Sequence, residues 1–240
     1  LPEADQLLGW YRSLEVADLN GDGLPDLILG NQGLNSRFKL RADRPIHLYL
    51  NDFDQNGSIE QIYTQNIEGK EIPFTLKHEL EKQIPGIKKK YIRYSDYNGE
   101  ALSDIFPAEI LDKSIVQTVN SFESGVLMNQ NEGKFSWIAF PSSAQKTWIY
   151  AIEVNDFNED GNQDLLLGGN LYGVKPEMGK YDAGYGELLL GRGDGTFEFL
   201  PNRLHGLKLE GDIRELSLLE GNRLLVVKNK EQAEIWRISK

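Results

Sequence analysis

Short apolar runs that end at glycine are the clearest pattern along this chain. Residues 27–30 read Leu-Ile-Leu-Gly and residues 165–168 read Leu-Leu-Leu-Gly, lengths that suit a buried strand. Apolar residues also alternate with polar ones at 135–140 and 197–200, as expected for half-buried strands. The same reasoning predicts further strands at 45–50, 59–67, 115–119, 125–128, 148–154, 213–219, 223–228 and 233–238. The chain is therefore predicted to be all-β.

Two segments, 127–135 and 189–197, align with each other without a gap. Each contains an acidic residue followed by glycine, a pair that tolerates the positive φ of a tight turn. Strand-like residues lie on both sides of each turn. We therefore predict a β-hairpin in each segment.

The period of the apolar positions changes between residues 74 and 113. Leu76, Leu80 and Ile84 follow helical spacing, with Thr75 as the expected N-cap, and Pro85 ends the pattern. Two further helices are expected at 88–97 and 100–106. The sequence thus predicts one region, 1–240, with a short helical insertion at about 74–113.

Three acidic segments, 18–26, 52–60 and 156–164, share a pattern in which oxygen-bearing side chains recur at every second residue. A glycine stands sixth in each segment, where the chain must bend sharply and a Cβ would be strained. Such a loop aims several oxygens at one point, and oxygen ligands suit Ca²⁺ better than zinc, copper or iron. The candidate ligands are Asp18, Asn20, Asp22, the carbonyl of Leu24, and Asp26; Asp52, Asp54, Asn56, Ser58 and Glu60; and Asp156, Asn158, Asp160, Asn162 and Asp164.

Calcium is thus the predicted cofactor, with up to three ions bound. The segment 52–60 fits the pattern least well, because Asn56 replaces an acidic ligand and Glu60 replaces the closing aspartate. Predicted strands, rather than the helices of an EF-hand, flank these loops, and each loop is shorter than an EF-hand loop.

With those strands included, residues 18–30 and 156–168 resemble the FG-GAP/VCBS repeat, whose motif has the form D-x-[DN]-x-D-G-x-x-D-[LI]-x-x-G. The resemblance implies a β-propeller in which this loop joins the first two strands of a blade and binds calcium. It implies no particular enzyme activity. The region after residue 30 is also similar to the C-terminal region of long VCBS-containing bacterial surface proteins. The expected fold is a partial propeller, or one of about four to five blades of four antiparallel strands.

Composition narrows the function classes. The 240 residues include no cysteine, which excludes disulfides, thiol catalysis and cysteine metal sites. The net charge of −11 argues against a nucleic-acid partner, and no apolar run is long enough to insert into a membrane. No leader opens the sequence, so a signal peptide is expected to be absent or removed. We expect an extracytoplasmic protein: secreted, periplasmic or on the outer surface.

A glycine-rich segment, 168–186, is the second candidate site because it places tyrosines and charged residues after a buried strand. Its counterpart after the first repeat is 31–39, and both are expected on one face. Tyrosine rings could contact sugar or peptide; alternatively they pack against a neighbouring blade and Asn170 caps a turn. The candidate ligand-binding residues are Asn170, Tyr172, Lys175, Lys180, Tyr181, Asp182, Tyr185, Asn35 and Arg37.

Catalysis is not expected. His47, His78 and His205 form no triad or metal-ligand spacing, and most carboxylates are already candidate calcium ligands. The predicted function is a noncatalytic calcium-binding module of a secreted or cell-surface bacterial protein that binds a glycan or protein partner. The alternative is the structural-calcium domain of a carbohydrate-active enzyme, a lyase or hydrolase. The rest of a larger propeller, or a second copy, is a further expected partner.

Overall fold

Antiparallel β-sheet dominates the computed structural model, which describes residues 7–40, 44–175 and 179–238. This agrees with the predicted all-β class. The described strands are β1 (Ser13–Ala17), β2 (Asp26–Gly30), β3 (Ile46–Asn51), β4 (Glu60–Ile67), β5 (Lys70–Pro73), β6 (Ile115–Val119), β7 (Gly125–Asn129), β8 (Phe135–Ala139), β9 (Ile149–Asn155), β10 (Asp164–Gly169), β11 (Glu187–Gly191), β12 (Phe197–Leu200), β13 (Ile213–Leu219), β14 (Arg223–Lys228) and β15 (Glu234–Arg237).

The helices are short. They are α1 (Lys77–Gln83), α2 (Ile87–Lys90), α3 (Tyr94–Tyr97), α4 (Leu102–Ile105), α5 (Ala108–Leu111) and α6 (Asn202–His205), and a 3₁₀ turn spans Ser142–Ala144. Among the described residues, no helix has the length and apolar character needed to cross a membrane.

The chain forms two compact units, one made of Leu1–Lys39 with Ser121–Lys240 and the other of Leu40–Asn120. The first unit contains three sheets: the first sheet (β1-β2-β7-β8), the second sheet (β9-β10-β11-β12) and the third sheet (β13-β14-β15). The second unit contains the fourth sheet (β6-β3-β4-β5) and the helices α1 to α5. This unit is longer than the helical insertion that the sequence predicted at about 74–113, because four strands belong to it as well.

The strands of the first sheet are not consecutive in sequence. The strand predicted at 45–50 corresponds to β3, which belongs to the fourth sheet and pairs with β4 and β6. Strand β2 instead pairs with β7, which places Leu27 opposite Leu127. The first sheet is therefore completed by a hairpin that comes after the whole of the second unit.

Both predicted hairpins are confirmed. Strands β7 and β8 pair antiparallel around the turn at 130–134, and β11 and β12 pair around the turn at 192–196. Each turn uses positive φ, as at Gly133 and Gly195. The three strands predicted after residue 213 likewise form the third sheet.

The second sheet lies between the other two sheets of the first unit. One of its faces packs with the first sheet in a core that contains Ile28, Val126 and Leu165. Its other face packs with the third sheet in a core that contains Leu166 and Leu216. Strand β9 lies beside both β1 and β13, so the first strands of the three sheets are neighbours.

In the second unit, the five helices cover one face of the fourth sheet, where Ile62, Leu80 and Leu102 form part of a buried core. The helix expected at 88–97 is divided, because Arg93 adopts an extended conformation with φ −103° and ψ 154°. Helix α1 has Leu76 at its N-cap with no side-chain cap, so the expected capping role of Thr75 is not observed.

Candidate functional site

The three acidic segments form loops of the same design between antiparallel strands. The first acidic loop (18–26) joins β1 to β2, the second (52–60) joins β3 to β4, and the third (156–164) joins β9 to β10. The sixth-position glycines Gly23, Gly57 and Gly161 have φ of +84°, +89° and +92°. A residue with a Cβ would be strained there, so glycine is required for the sharp bend.

The first carboxylate of each loop folds the backbone around itself. One oxygen of Asp18 accepts the N–H of Gly23 at 2.9 Å, and the other accepts the N–H of Asp22 at 3.2 Å. Asp52 and Asp156 accept hydrogen bonds from the same two loop positions. The N–H of Gly23 is the main reason that the pKa of Asp18 is lowered. Backbone N–H donors therefore hold the first carboxylate of each loop inside the loop.

The ninth residue of each loop is buried and lies at the base of the loop, where the next strand begins. Asp26 and Asp164 are 0 % exposed and Glu60 is 4 % exposed. Each accepts the N–H of the residue at the second loop position, from Leu19 at 3.0 Å in the first loop. Burial raises the pKa of Asp164 and of Glu60. A bound cation would offset that cost by favouring the charged carboxylate.

Both closing aspartates also form a hydrogen bond with a second strand. The other oxygen of Asp26 accepts the N–H of Asn129 at the end of β7, at 2.8 Å. Asp164 accepts the N–H of Gly191 at the end of β11, also at 2.8 Å. Sequence reasoning assigned these aspartates only as metal ligands, because their partners are distant along the chain. They also fasten each loop to the third strand of its sheet.

The second loop brings three acids together. Oxygens of Asp52, Asp54 and Glu60 lie within 4.8 Å of one another, and within the described parts of the chain this is the single such group of three acidic, histidine or cysteine residues. In the other loops an asparagine occupies the third position, and its amide donates to the fifth residue, as Asn20 does to Asp22 at 2.9 Å. All three donor sets are oxygen-rich and fit a hard cation.

The seventh loop residues are placed alike. The backbone N–H groups of Leu24, Ser58 and Asn162 each donate to the side-chain oxygen of the fifth residue at 2.8 Å. This hydrogen bond fixes the orientation of the backbone at the seventh residue. The carbonyl of Leu24 remains the candidate ligand at this position.

The two segments proposed to bind a ligand meet in the first unit. A cavity of about 240 Å³ is lined by Asn35 and Arg37 from one segment and by Lys180, Tyr181 and Asp182 from the other. The sequence predicted that both segments lie on one face, and the structure brings these five residues together.

The remaining candidates lie elsewhere. Asn170 is 1 % exposed and its amide binds Gly184 and the carbonyl of Gly211, so it holds the segment together from inside. Tyr172 lines a separate cavity of about 550 Å³, with Lys180 Nζ 5.0 Å from its ring centre. Tyr185 is exposed and Lys208 lies over its ring, and Lys175 is exposed.

Sequence reasoning missed a group of side chains at the beginning of the first strands. Arg12 lies over the ring of Trp148 at 5.3 Å, and Arg214 lies over the ring of Tyr150 at 3.8 Å. Trp148 and Tyr150 are stacked with ring centres 6.1 Å apart. One signal was available, since Trp10 and Trp148 stand at the same distance before the first and third acidic loops. These two tryptophans stack with ring centres 6.0 Å apart.

The histidines have local partners. His47 Nδ1 lies 3.0 Å from a carboxylate oxygen of Glu71, and His78 contacts Tyr94. His205 accepts the N–H of Leu207, and burial lowers its pKa.

The family model for the FG-GAP repeat matches residues 10–39 of the chain. That range begins at Trp10 and contains β1, the first acidic loop, β2 and the segment that carries Asn35 and Arg37. A comparison with curated proteins gives no significant match.

Proposed function

We propose, from the FG-GAP repeat at residues 10–39, that this chain is a noncatalytic calcium-binding β-propeller module. The observation that carries the proposal is the shared design of the three acidic loops. Each has its first carboxylate inside a ring of loop N–H groups and its ninth carboxylate buried below. Three loops of the same construction in one acidic chain are best explained by a common ligand.

The arrangement of sheets in the first unit supports the propeller. In a propeller, the first strands of successive blades lie side by side around the axis, and the sheets pack face to face. Strands β1, β9 and β13 are neighbours in this way, and the second sheet is covered on both faces. The first and third acidic loops each join the first two strands of a sheet, as the repeat implies.

The exposed face of the first sheet supports a further neighbour. Leu14 is 55 % exposed and Val16 is 56 % exposed. They alternate along β1 with Ala17, which packs in the core shared with the second sheet. Apolar residues on the opposite face are expected to be covered by another blade. That blade belongs to the rest of a larger propeller or to a second copy of this chain.

Calcium bound in these loops would stabilise the folded protein. The acidic residues of the three loops would hold the ion, with Asp26, Glu60 and Asp164 closing the sites from inside. A divalent cation neutralises carboxylates that otherwise repel one another, and binding to the folded form alone stabilises it by mass action. The buried closing residues belong to strands, so calcium bound to them would also stabilise the sheets.

The ligand of the module is a glycan or a protein partner, bound through the loops at 31–39 and 180–183. Their cavity combines an aromatic ring with charges of both signs, a lining that suits polar ligands with apolar faces. A calcium-dependent fold without cysteine and with a net charge of −11 is consistent with a secreted or cell-surface protein.

Metal analysis tests the calcium proposal. The protein is equilibrated with calcium, separated from free ion by gel filtration, and its bound calcium is counted by mass spectrometry. We expect up to three ions, and about one fewer for Asp22→Ala. Asp194→Ala removes an exposed acid outside the loops and is the matched control. A protein that retains no calcium, or an equal loss in both variants, would contradict the proposal.

Incubation with soluble glycans separates the module from its alternative. Binding without turnover supports the noncatalytic module. Shortened product chains would favour the structural-calcium domain of a lyase or hydrolase.

A further inference from the structure

We propose that the arginine–aromatic cluster of Arg12, Trp148, Tyr150 and Arg214 is a binding site for an anionic saccharide, one that carries a carboxylate or sulfate group. This inference rests on the proposed function, because it names the class of glycan that the module binds. It differs from the acidic loops in both place and charge.

The position of the cluster follows from strand register. Ser13 at the start of β1 pairs with Gly30, and Ala17 at its other end pairs with Asp26 of the first acidic loop. The start of β9 likewise pairs with the end of β10, away from the third acidic loop. The cluster therefore lies at the end of the strands opposite to the acidic loops. The segments at 31–39 and 170–185 also leave from this end, because they follow β2 and β10.

Trp148 is the fixed base of the cluster. It is 6 % exposed, and its ring is stacked on Trp10 with an angle of 5° between the planes. Tyr181 meets it edge-on with ring centres 6.3 Å apart. The ring of Tyr150 continues the stack and is only half-buried. Stacked aromatic rings lose little conformational entropy on binding, and the part of Tyr150 that is not buried gives a sugar ring an apolar surface.

Two guanidinium groups flank this stack, one on β13 and the other just before β1. Arg214 on β13 is held by Asp212 at 2.5 Å and donates to the carbonyl of Asn170 at 3.2 Å. Arg12, just before β1, is exposed and forms no salt bridge with a carboxylate in the described part of the chain. Both arginines lower the pKa of Tyr150 against the larger effect of burial, which raises it. Both positive charges therefore act on the same side chain, Tyr150.

The charge of the cluster is unusual for this protein. In a chain of net charge −11, the cluster contains two arginines, and the buried carboxylate of Asp212 pairs with Arg214. A guanidinium presents paired N–H donors that match the two oxygens of a carboxylate or sulfate group. An anionic group beside Arg12 would satisfy that fork, with the sugar ring packed against the half-buried side chain of Tyr150.

Saccharide is favoured over an acidic protein as the source of the anion. A protein of net charge −11 repels an acidic protein surface of similar size over several ångströms. A short oligosaccharide brings only a few charges. The neighbouring cavity, which includes Arg37 and Tyr181, extends the surface to a second sugar residue with the same combination of cation and ring.

Calorimetric titration of the calcium-loaded full chain tests the site. The probes are a galacturonate trimer, a sulfated galactose trimer, the neutral galactose trimer and hexaglutamate. We expect one or both anionic saccharides to bind. Arg12→Gln should weaken that binding at least about tenfold, the loss of a charge-assisted hydrogen bond. Arg12→Lys should recover part of the affinity, because it restores the charge without the fork.

The control variant is Arg192→Gln, which removes an exposed arginine from the β11–β12 turn and should leave binding unchanged. Melting temperatures in calcium should be equal for all variants, since Arg12 is exposed. Equal binding of the neutral trimer would overturn the anionic site while leaving a glycan-binding module. Binding of hexaglutamate alone would overturn it in favour of a protein partner. Failure of every probe to bind would also overturn the proposed saccharide site. The number of bound calcium ions would still test the calcium-binding module separately.

Discussion

Asp26 and Asn129 are joined by a hydrogen bond of 2.8 Å across 103 residues of chain. The carboxylate belongs to the first acidic loop, and the N–H belongs to the end of β7, the strand that resumes the first sheet after the second unit. Asp164 and Gly191 repeat the relationship within the second sheet. The closing aspartate therefore has a structural role that does not require a metal ion.

Asp26→Ala should destabilise the first unit with or without calcium. The substitution leaves the N–H groups of Leu19 and Asn129 without their acceptor, and each unsatisfied buried donor costs roughly 1–3 kcal/mol. We expect the free energy of unfolding, measured by urea denaturation in EDTA, to fall by about 3 kcal/mol. A loss that is seen only in calcium would show that the aspartate acts through the metal alone.

Asp22→Ala should behave in the opposite way. Asp22 is exposed, and its carboxylate accepts bonds only within its own loop. We expect a lower melting temperature than that of the parent protein in calcium and almost no difference in EDTA, measured by differential scanning calorimetry. Asp194→Ala, outside the loops, should match the parent protein in both conditions. Equal losses for Asp22→Ala in calcium and in EDTA would contradict a metal role for this residue.

Gly169 is predicted to be irreplaceable in β10. The pairing of β9 with β10 shifts register between Gly168 and Gly169, and a Cβ on Gly169 would lie 1.7 Å from the carbonyl oxygen of Trp148. Gly169→Ala should therefore displace backbone and destabilise the protein by about 3 kcal/mol in urea denaturation.

Gly173→Ala is the matched control, because a Cβ added at Gly173 would have no atom within 4 Å and the φ of this residue is not positive. This substitution should leave the free energy of unfolding almost unchanged. The Gly169 variant should also weaken saccharide binding, since Trp148 supports Arg12 and Tyr150. Equal stability of the two variants would show that the bulge tolerates a side chain.

The local elements were predictable because each depends on a few consecutive residues. The strands at 27–30 and 165–168, both hairpins and the bend at Gly23 follow from apolar pattern and glycine position. The pairing of β2 with β7 was not predictable, since an apolar pattern shows that a strand is buried but not which strand lies beside it. A complete sheet-forming unit separates the two in sequence.

The same distinction between local and long-range information applies to the candidate sites. The candidate acidic ligands form a local motif, so a short stretch of sequence is enough to predict them. Arg12 immediately precedes β1, and Tyr150 and Arg214 lie on β9 and β13 of two other sheets, so only the fold brings them together. Asn170 was predicted either to contact a ligand or to cap a turn, and its amide donates to the carbonyls of Gly184 and Gly211, as a capping role requires.

Glu187 predicts a pH dependence of stability. Burial raises its pKa in the folded protein above the ordinary value of 4.5, and the N–H of Tyr185 and the nearby Lys146 only partly oppose this. Below pH 4.5 the carboxyl is largely protonated in both folded and unfolded chains. As pH rises, the unfolded chain releases the proton first, so the free energy of unfolding falls until the folded carboxyl has also ionised.

Glu187→Gln removes this penalty and keeps an oxygen that accepts the N–H of Tyr185. The melting temperature of the variant relative to the parent protein should therefore rise between pH 4.5 and pH 7, in calorimetric scans at constant ionic strength. Glu198→Gln, an exposed carboxylate on β12, is the control and should show no such trend. A relative melting temperature of Glu187→Gln that falls over this range would mean that the pairing with Lys146 outweighs burial, because the charged form would then be the stabilised one.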